Sequence, residues 1–578
     1  MRKKRFSLNF ATFYMFALVL LAVILRLILM SFNWPIANAD EATIDLMARH
    51  IAYLGEHPIF FYGQDHMGSI QAYLGAGLIR LFGMSIFSVR LGTLLIFALY
   101  IVCMYYLVHM LYTQAFALIT IVFLSTGSDR MVSVPLMANG GYGETMLFGA
   151  LIFLLAAWLA LTSVRQLTQR DRLVRILVYS GLGCTMGLAL WSDQLILPAI
   201  FTAGVLLLVC CRQDVRRWAT RTAFVIGFLI GAIPLIIYNI TAAPGKDSLH
   251  VLVGSVFSST PRVIPLTQEM IEALLISMPV ATGIPFTSGV HAVCGTVEPY
   301  SHPLNSFAEL FPRSNPWLCL AYRGGWSLGI IVLWSIAVAS AVMLIKRQRE
   351  RWQSVLLSER TLAERQEQIR RYAQLMLLGS AALWFLLFMF SSSAAITPWT
   401  SSRYLTCLLF ALPAVLWPVW QGISGLKERL KFGGLRVQSV AALSVIVCVF
   451  ISAAYVAGTI DIFTNIPVDQ GAYNQREALI QDLLSRGATR IYSDYDTCNL
   501  LIFQSNERII CSSLDDHLQP SYNRYLPYLT IVETAAHPAF VFPVSANVAN
   551  ALAQKQTSRD SHYQHTVVEG YSIYYYTQ

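Results

Sequence analysis

The sequence predicts an α-helical polytopic membrane protein of about 11 spans, with interfacial helices in the first external loop and a small C-terminal extracytoplasmic α/β domain. Three observations carry this: a 578-residue composition that is 56% apolar and 13% charged, a series of separate apolar runs, and basic residues gathered on one side of those runs. A mean hydropathy of +0.55 lies far above that of a soluble domain.

A spanning helix needs about 20 predominantly apolar residues. The first run, Phe10 to Met30, follows Arg2, Lys3, Lys4 and Arg5. That basic start resembles a signal peptide, but the run is too long for a cleaved apolar region and no small-residue cleavage site follows, so it reads as a retained span. Further runs are Phe87–Leu111, Ala115–Thr126, Gly143–Thr162, Val174–Leu190, Leu195–Cys211, Ala223–Ile240, Trp326–Ile345, Tyr372–Phe390, Tyr404–Val419 and Val437–Ala457.

Charge tests the count independently, because basic residues concentrate in short cytoplasmic loops. With the N-terminus inside, those loops hold Arg165, Arg170, Arg172 and Arg175; Arg212, Arg216, Arg217 and Arg221; the stretch Lys346–Arg371; and Lys427, Arg429, Lys431 and Arg436. Ala115–Thr126 is short, yet deleting it would move the Arg165–Arg175 cluster outside, so it is kept. The net charge of +9 then follows from topology and contact with anionic membrane lipid, and no nucleic-acid partner is implied. The resulting localisation is the plasma membrane, with the C-terminal domain extracytoplasmic. Cys294 and Cys319 share one external loop, and Cys498 and Cys511 share the external C-terminal domain. On that oxidising side each pair is open to a disulfide, free buried thiols being the alternative.

Three external segments exceed mere connectors: Ser31–Ile86, Thr241–Gly325 and Gly458 onward. In the first, Ile44, Met47, Ile51 and Leu54 share one helical face, and Ile70, Tyr73, Leu74, Leu78 and Leu81 another, as in helices lying at the membrane surface. In the last, a helical pattern over Gln475–Arg486 stops at Gly487, and Thr489–Tyr492, Arg508–Cys511, Ala539–Val544 and Tyr571–Tyr576 read as strands. Helices and strands in alternation suggest a small α/β domain.

The central chemical candidates are Asp40 and Glu41, adjacent carboxylates just past the first span, preceded by Asn38 and leading into an amphipathic helix. A carboxylate there can act as general base toward a hydroxyl or hold a divalent cation against a phosphate; helix capping is the alternative role. Asp129, Glu144 and Asp193 are further acids at external span ends, able together to ring an acidic cavity or a metal. Arg403, opening the tenth span, can grip a donor phosphate bidentately. Lys246 and His250 are weaker phosphate candidates, Arg26 within the first span needs a partner or snorkels outward, and Arg524 orders the soluble domain. The chain has no P-loop, no Gly-rich dinucleotide fingerprint, no His-Glu-x-x-His and no Cys-x-x-Cys, which counts against nucleotide-driven transport and zinc peptidase chemistry.

The first span followed by Asp40-Glu41, then Phe61-Tyr62-Gly63-Gln64 through Met67-Gly68-Ser69, Ala72-Tyr73-Leu74, Leu81-Phe82-Gly83 and Arg90-Leu91, resembles the GT-C superfamily of polyprenyl-phosphate-dependent glycosyltransferases, closest in pattern to bacterial proteins with a family 39-like, or RgtA/B/C/D-like, domain. The resemblance covers Phe10 to Ile240 well and reaches Arg403-Tyr404-Leu405 more loosely. It implies a GT-C-like domain over residues 1–457; the soluble α/β domain over 458–578, read from its helix and strand pattern, inherits no function from the resemblance, and neither does the middle loop. It also implies inverting transfer of a sugar from a polyprenyl-phosphate donor to a glycan, lipid or protein hydroxyl of the cell envelope. In the family the acid of the first external loop is the catalytic base or a metal ligand, a role that falls by position on Asp40, with Glu41 beside it and Arg403 or a divalent cation meeting the phosphate. Two other classes compete: a lipid-linked oligosaccharide ligase or polymerase, and a transporter or flippase of lipid-linked glycans. Acids clustered at span ends, rather than at the midplane, favour the transferase.

Overall fold

The computed structural model describes residues 10–165, 168–243, 245, 247–248, 250, 264–285, 294, 316–353, 361–424, 435–558, 560 and 562–577. Among the described residues, 8 helices are long and apolar enough to cross a membrane. The helices Trp218–Gly231 and Ile233–Thr241 are bent by 62° at their junction and bring the count to 9 if the pair is one span. The runs at Ala115–Thr126 and Leu195–Cys211 are the shorter apolar helices Gln114–Ser125 and Gln194–Cys210, so every apolar run read from the sequence is a helix.

The chain divides into two compact units. The first holds residues 1–25, 95–135 and 142–463; the second holds 26–94, 136–141 and 464–578. The expected domain boundary after residue 457 falls inside one continuous helix, Leu435–Ser485. The last segment of the second unit starts close by, at residue 464.

In the first unit, the helices Gln169–Ser192 and Trp218–Gly231 meet through glycine on both sides. A Cβ added at Gly183 would lie 2.1 Å from the Phe224 carbonyl oxygen, and one at Gly227 would lie 2.0 Å from the Ser180 oxygen; Gly187 and Gly231 are as tight at 2.4 and 2.1 Å. Each pair is spaced by four residues on one face, the small-residue pattern by which spanning helices bring their backbones together without a hydrophobic drive between them. On the side of the first helix's basic N-terminal end, Arg175 is enclosed against Asp214 and donates to the Leu159 carbonyl at 3.0 Å.

The second unit joins the C-terminal domain to the first loop. Its five-stranded sheet has the order β2-β1-β3-β5-β4, built from β1 Arg490–Ser493, β2 Ile510–Ser513, β3 Ala539–Pro543, β4 Tyr563–Val568 and β5 Tyr571–Tyr576. β1 runs parallel to β2 and β3, and β5 pairs antiparallel with β3 and β4. Four of these strands lie where the sequence places them. The fifth, β4, is an edge strand with a largely solvated pattern, and so lacks the apolar alternation that marks a half-buried strand.

Four helices lead into and through the first loop: α1 Phe10–Ser31, α2 Ala39–Arg49, α3 Ile70–Phe82 and α4 Ile86–Leu111. α2 continues into a wider turn, His50–Leu54, which Gly55 ends at φ +72°, a left-handed conformation that glycine adopts without a Cβ clash. The sequence reads α2 as interfacial, but it is buried along almost its whole length, and its Leu46 enters the sheet domain's core beside Leu479, Leu483 and Ile502. α3 does keep an apolar face outward, with Leu81 and Phe82 exposed, while its small residues Ala72, Gly75 and Ala76 are buried. Gly75 sets that approach, since a Cβ there would stand 3.1 Å from the Ala48 Cβ of α2 and 3.0 Å from Val89 of α4.

The glycine contact yields a stability prediction. Gly183→Val forces backbones apart and should cost about 3 kcal/mol, lowering the melting temperature in detergent, whereas Gly204→Ala, a position with open space around it, should leave it unchanged. Equal melting of the two variants would show that the close packing is not required.

Candidate functional site

Asn38 caps α2, its side-chain oxygen accepting the Glu41 N–H at 2.9 Å. Asp40 and Glu41 therefore occupy the first helical turn, where unpaired N–H groups and the helix dipole favour negative charge. The cap is Asn38, which leaves Asp40 for other work.

Consecutive residues in that turn point in different directions. Glu41 is fully buried. Arg90 of α4 grips it as a fork, Nε donating to Oε1 at 2.8 Å and Nη2 to Oε2 at 2.6 Å, while the Ala138 N–H donates to Oε1 at 3.2 Å. Arg90 Nη2 also donates to the Pro35 carbonyl at 2.7 Å. Asp40 keeps 18% of its side chain exposed, and Arg524 Nη2 meets its Oδ1 at 2.6 Å. Of the two carboxylates, only Asp40 is placed to meet an incoming group.

Asp45, a turn further along α2, is 1% exposed, and both its oxygens lack a hydrogen-bond partner. Burial, helped by the Glu41 charge and opposed by Arg90, holds its carboxyl well above the usual range. No sequence pattern distinguishes it from a solvated helical acid.

Around His50 the loop and the sheet domain share a polar node. His50 Nδ1 lies 3.0 Å from the Tyr62 hydroxyl and Nε2 lies 3.0 Å from Glu507 Oε1. Tyr62 and Tyr525 both donate to Glu56, Tyr528 donates to Glu507, and Arg49 pairs with Glu507. Burial pushes Glu507 up, but hydrogen bonds from His50 and Tyr528 and the Arg49 charge outweigh it and leave the carboxyl below its ordinary value. Glu56 is likewise pushed up by burial and brought lower by Tyr62, Tyr525 and His50.

The remaining sequence candidates, Arg26 apart, belong to the first unit. Asp129 is exposed at the start of the short helix Asp129–Ser133, beside Arg130. Glu144 is buried in the first turn of Tyr142–Thr162. Asp193 is buried between two helices, its Oδ1 accepting the Leu195 N–H at 2.8 Å, and it feels the charge of Arg403. Arg403 lies 5.4 Å from the Tyr142 ring centroid and 5.7 Å from that of Tyr404. Asp193, Arg403 and Tyr142 therefore lie together in one polar cluster. Arg26 is fully buried and does not snorkel, and Lys246 lies outside the described residues.

Among the described residues, no group of three or more His, Cys, Asp or Glu side chains is placed to hold a metal ion. The donor set itself fits one poorly. Asp40 already faces a guanidinium, and both oxygens of Glu41 are engaged, so a dication at the pair would have to displace two arginines.

Two measurements follow. Glu41→Gln or Arg90→Ala leaves one charge of the buried fork unpaired and should cost about 3–5 kcal/mol, read as a large drop in melting temperature; a drop like that of a surface substitution would contradict the strut. Because Glu56 and Glu507 have lowered values in the folded protein, their stabilising contribution is present above the ordinary glutamate value of 4.5 and lost as pH falls through the folded values. Melting temperature should decline below about pH 4.5, and less steeply in Glu507→Gln; parallel declines would remove the node from the explanation.

No family model and no curated protein matches the sequence. Solved structures do match. ArnT from Cupriavidus metallidurans bound to undecaprenyl phosphate is similar at a TM-score of 0.54 with 12% identity, covering 97% of this chain and 98% of that one. The same protein in the apo state gives 0.53, also at 12% identity, covering 98% of both chains. The Archaeoglobus fulgidus oligosaccharyltransferase in the apo form gives 0.50 at 12% identity, covering 100% of this chain and 75% of that one. With its apolar helices, the chain is a multi-pass membrane protein. The likeness runs through the membrane helices and the terminal sheet domain alike, and this chain has the fold of the GT-C superfamily.

Proposed function

We propose that the protein is an inverting glycosyltransferase that moves a sugar from a polyprenyl-phosphate donor to an acceptor hydroxyl at the external membrane face. The observation that carries this is the placement of Asp40: a partly exposed carboxylate on a fixed helical turn, held by an arginine, in a chain with the GT-C fold. The ArnT structure's bound undecaprenyl phosphate supports the donor class. The arrangement of basic loops supports the orientation, as do the disulfides Cys294–Cys319 and Cys498–Cys511, both in segments read as external.

In the proposed reaction the acceptor oxygen attacks the anomeric carbon while Asp40 takes the hydroxyl proton. The bond from that carbon to the phosphate oxygen breaks, its electron pair leaves with the polyprenyl phosphate, and configuration inverts. Glu41 serves as a strut for Asp40 and not as a second base, because Arg90 occupies both its oxygens. Arg403, a cation stacked near aromatic rings in the first unit, is assigned to the donor phosphate. No step runs through a metal ion. The acids lie at span ends rather than midway along spans, which favours a transferase over a flippase.

A general base is worth about 10²–10⁴-fold. Asp40→Asn should therefore lower consumption of undecaprenyl-phosphate monosaccharides by that factor while leaving the melting temperature within a few degrees of native. Native turnover in the variant would rule Asp40 out as base.

A further inference from the structure

Arg524 stands out because all three of its guanidinium nitrogens have a partner. Nη2 donates to Asp40 Oδ1 at 2.6 Å, Nε to the Tyr495 hydroxyl at 2.6 Å and Nη1 to the Tyr522 hydroxyl at 3.2 Å. The group also lies over three rings, 4.5 Å from the Phe61 centroid, 4.9 Å from that of Tyr522 and 5.6 Å from that of Tyr495, and its side chain is only 8% exposed. An arginine tied at one end would sweep through many rotamers. One held by three hydrogen bonds and an aromatic cage presents a fixed fork.

The parts of the cage are themselves anchored. Tyr495 opens the helix Tyr495–Gln504 directly after β1, capped by Asp494 and joined to β2 through Cys498–Cys511. Tyr522 donates to the Gly63 carbonyl. Gly63 has φ +71°, and a Cβ there would come within 2.7 Å of the Tyr522 hydroxyl, so only glycine lets the tyrosine dock. Phe61 and Gly63 thus give a physical reason for the Phe61-Tyr62-Gly63 motif: one forms a wall of the cage, the other seats it.

Resting on the reading of Asp40 as base, we infer that Arg524 is its positioning residue: the sheet domain's caged guanidinium fixes the direction of the Asp40 carboxylate. The C-terminal domain is then part of the catalytic machinery and not an appendage. Arg524 takes no proton and forms no bond in the reaction; it acts through Asp40.

The test reads Asp40 directly, without a substrate. Purified full-length protein is labelled with a water-soluble carbodiimide at one fixed pH, and the rate of modification of the Asp40 peptide is quantified by mass spectrometry. A guanidinium that covers and aims the carboxylate shields it, so in Arg524→Gln the rate of Asp40 labelling should rise several-fold, and in Arg524→Lys, which keeps a cation beside Asp40, it should rise less. If Arg524→Gln does not fold, Tyr495→Phe, which removes one of the guanidinium's three partners, should raise the rate by a smaller amount. In turnover of undecaprenyl-phosphate monosaccharides, Arg524→Lys should lower kcat more than it changes KM, since the charge remains and the fork does not. An unchanged labelling rate in Arg524→Gln, or in Tyr495→Phe where that variant replaces it, overturns the inference and leaves the transferase reading intact. Native turnover in Asp40→Asn overturns the reading itself, whatever the labelling shows.

Discussion

Glu41 carries a negative charge to a place fully closed to solvent, and the Arg90 fork is what makes that tolerable. Much of the second unit's geometry depends on this pair. It ties the first turn of α2 to α4, reaches the Pro35 carbonyl through Arg90 and the Ala138 amide through Glu41, and thereby fixes both ends of the turn on which Asp40 sits. A buried ion pair is weak evidence for stability as such, because removing two ions from water is expensive. Its value here is specificity: the pair satisfies only one register of α2 against α4, and that register leaves Asp40 at an accessible position.

The same turn therefore divides two chemically similar residues into a strut and a reactive group, and the environment sets the difference. Arg90 reaches Glu41 from within the first 100 residues, whereas Arg524 reaches Asp40 from the other end of the chain. Asp45, a turn beyond Glu41, completes a graded series: one carboxyl buried without a hydrogen-bond partner, one locked in a fork, one partly open. The core supports the arrangement, since Leu46 of the same helix packs among the sheet domain's residues. A helix that carries the candidate base thus also serves as a core element of the C-terminal domain.

Local properties were legible in the sequence. Every apolar run became a helix, because a span of that length and composition needs no distant partner to be recognised. Four of the five strands were readable from apolar alternation, and β4 was not, because an edge strand with solvated side chains has no such pattern. Asp40 and Glu41 could be singled out together but not told apart: the distinction rests on Arg90 and Arg524, 49 and 484 residues away. The His50 node has the same character, joining residues 457 apart. Arg524 offered only the sequence Asn523-Arg524-Tyr525, in which nothing local signals an aromatic cage.

Sugar transfer by displacement at the anomeric carbon is tested most directly with a donor carrying oxygen-18 in the bridge between sugar and phosphate. Purified protein is incubated with undecaprenyl-phosphate monosaccharides labelled in this way together with envelope glycan or lipid acceptors, and the released phosphate is followed by phosphorus NMR. Attack at the anomeric carbon predicts undecaprenyl phosphate that retains the label, released in step with donor loss. Label departing with the sugar, or no release from any donor, would contradict it.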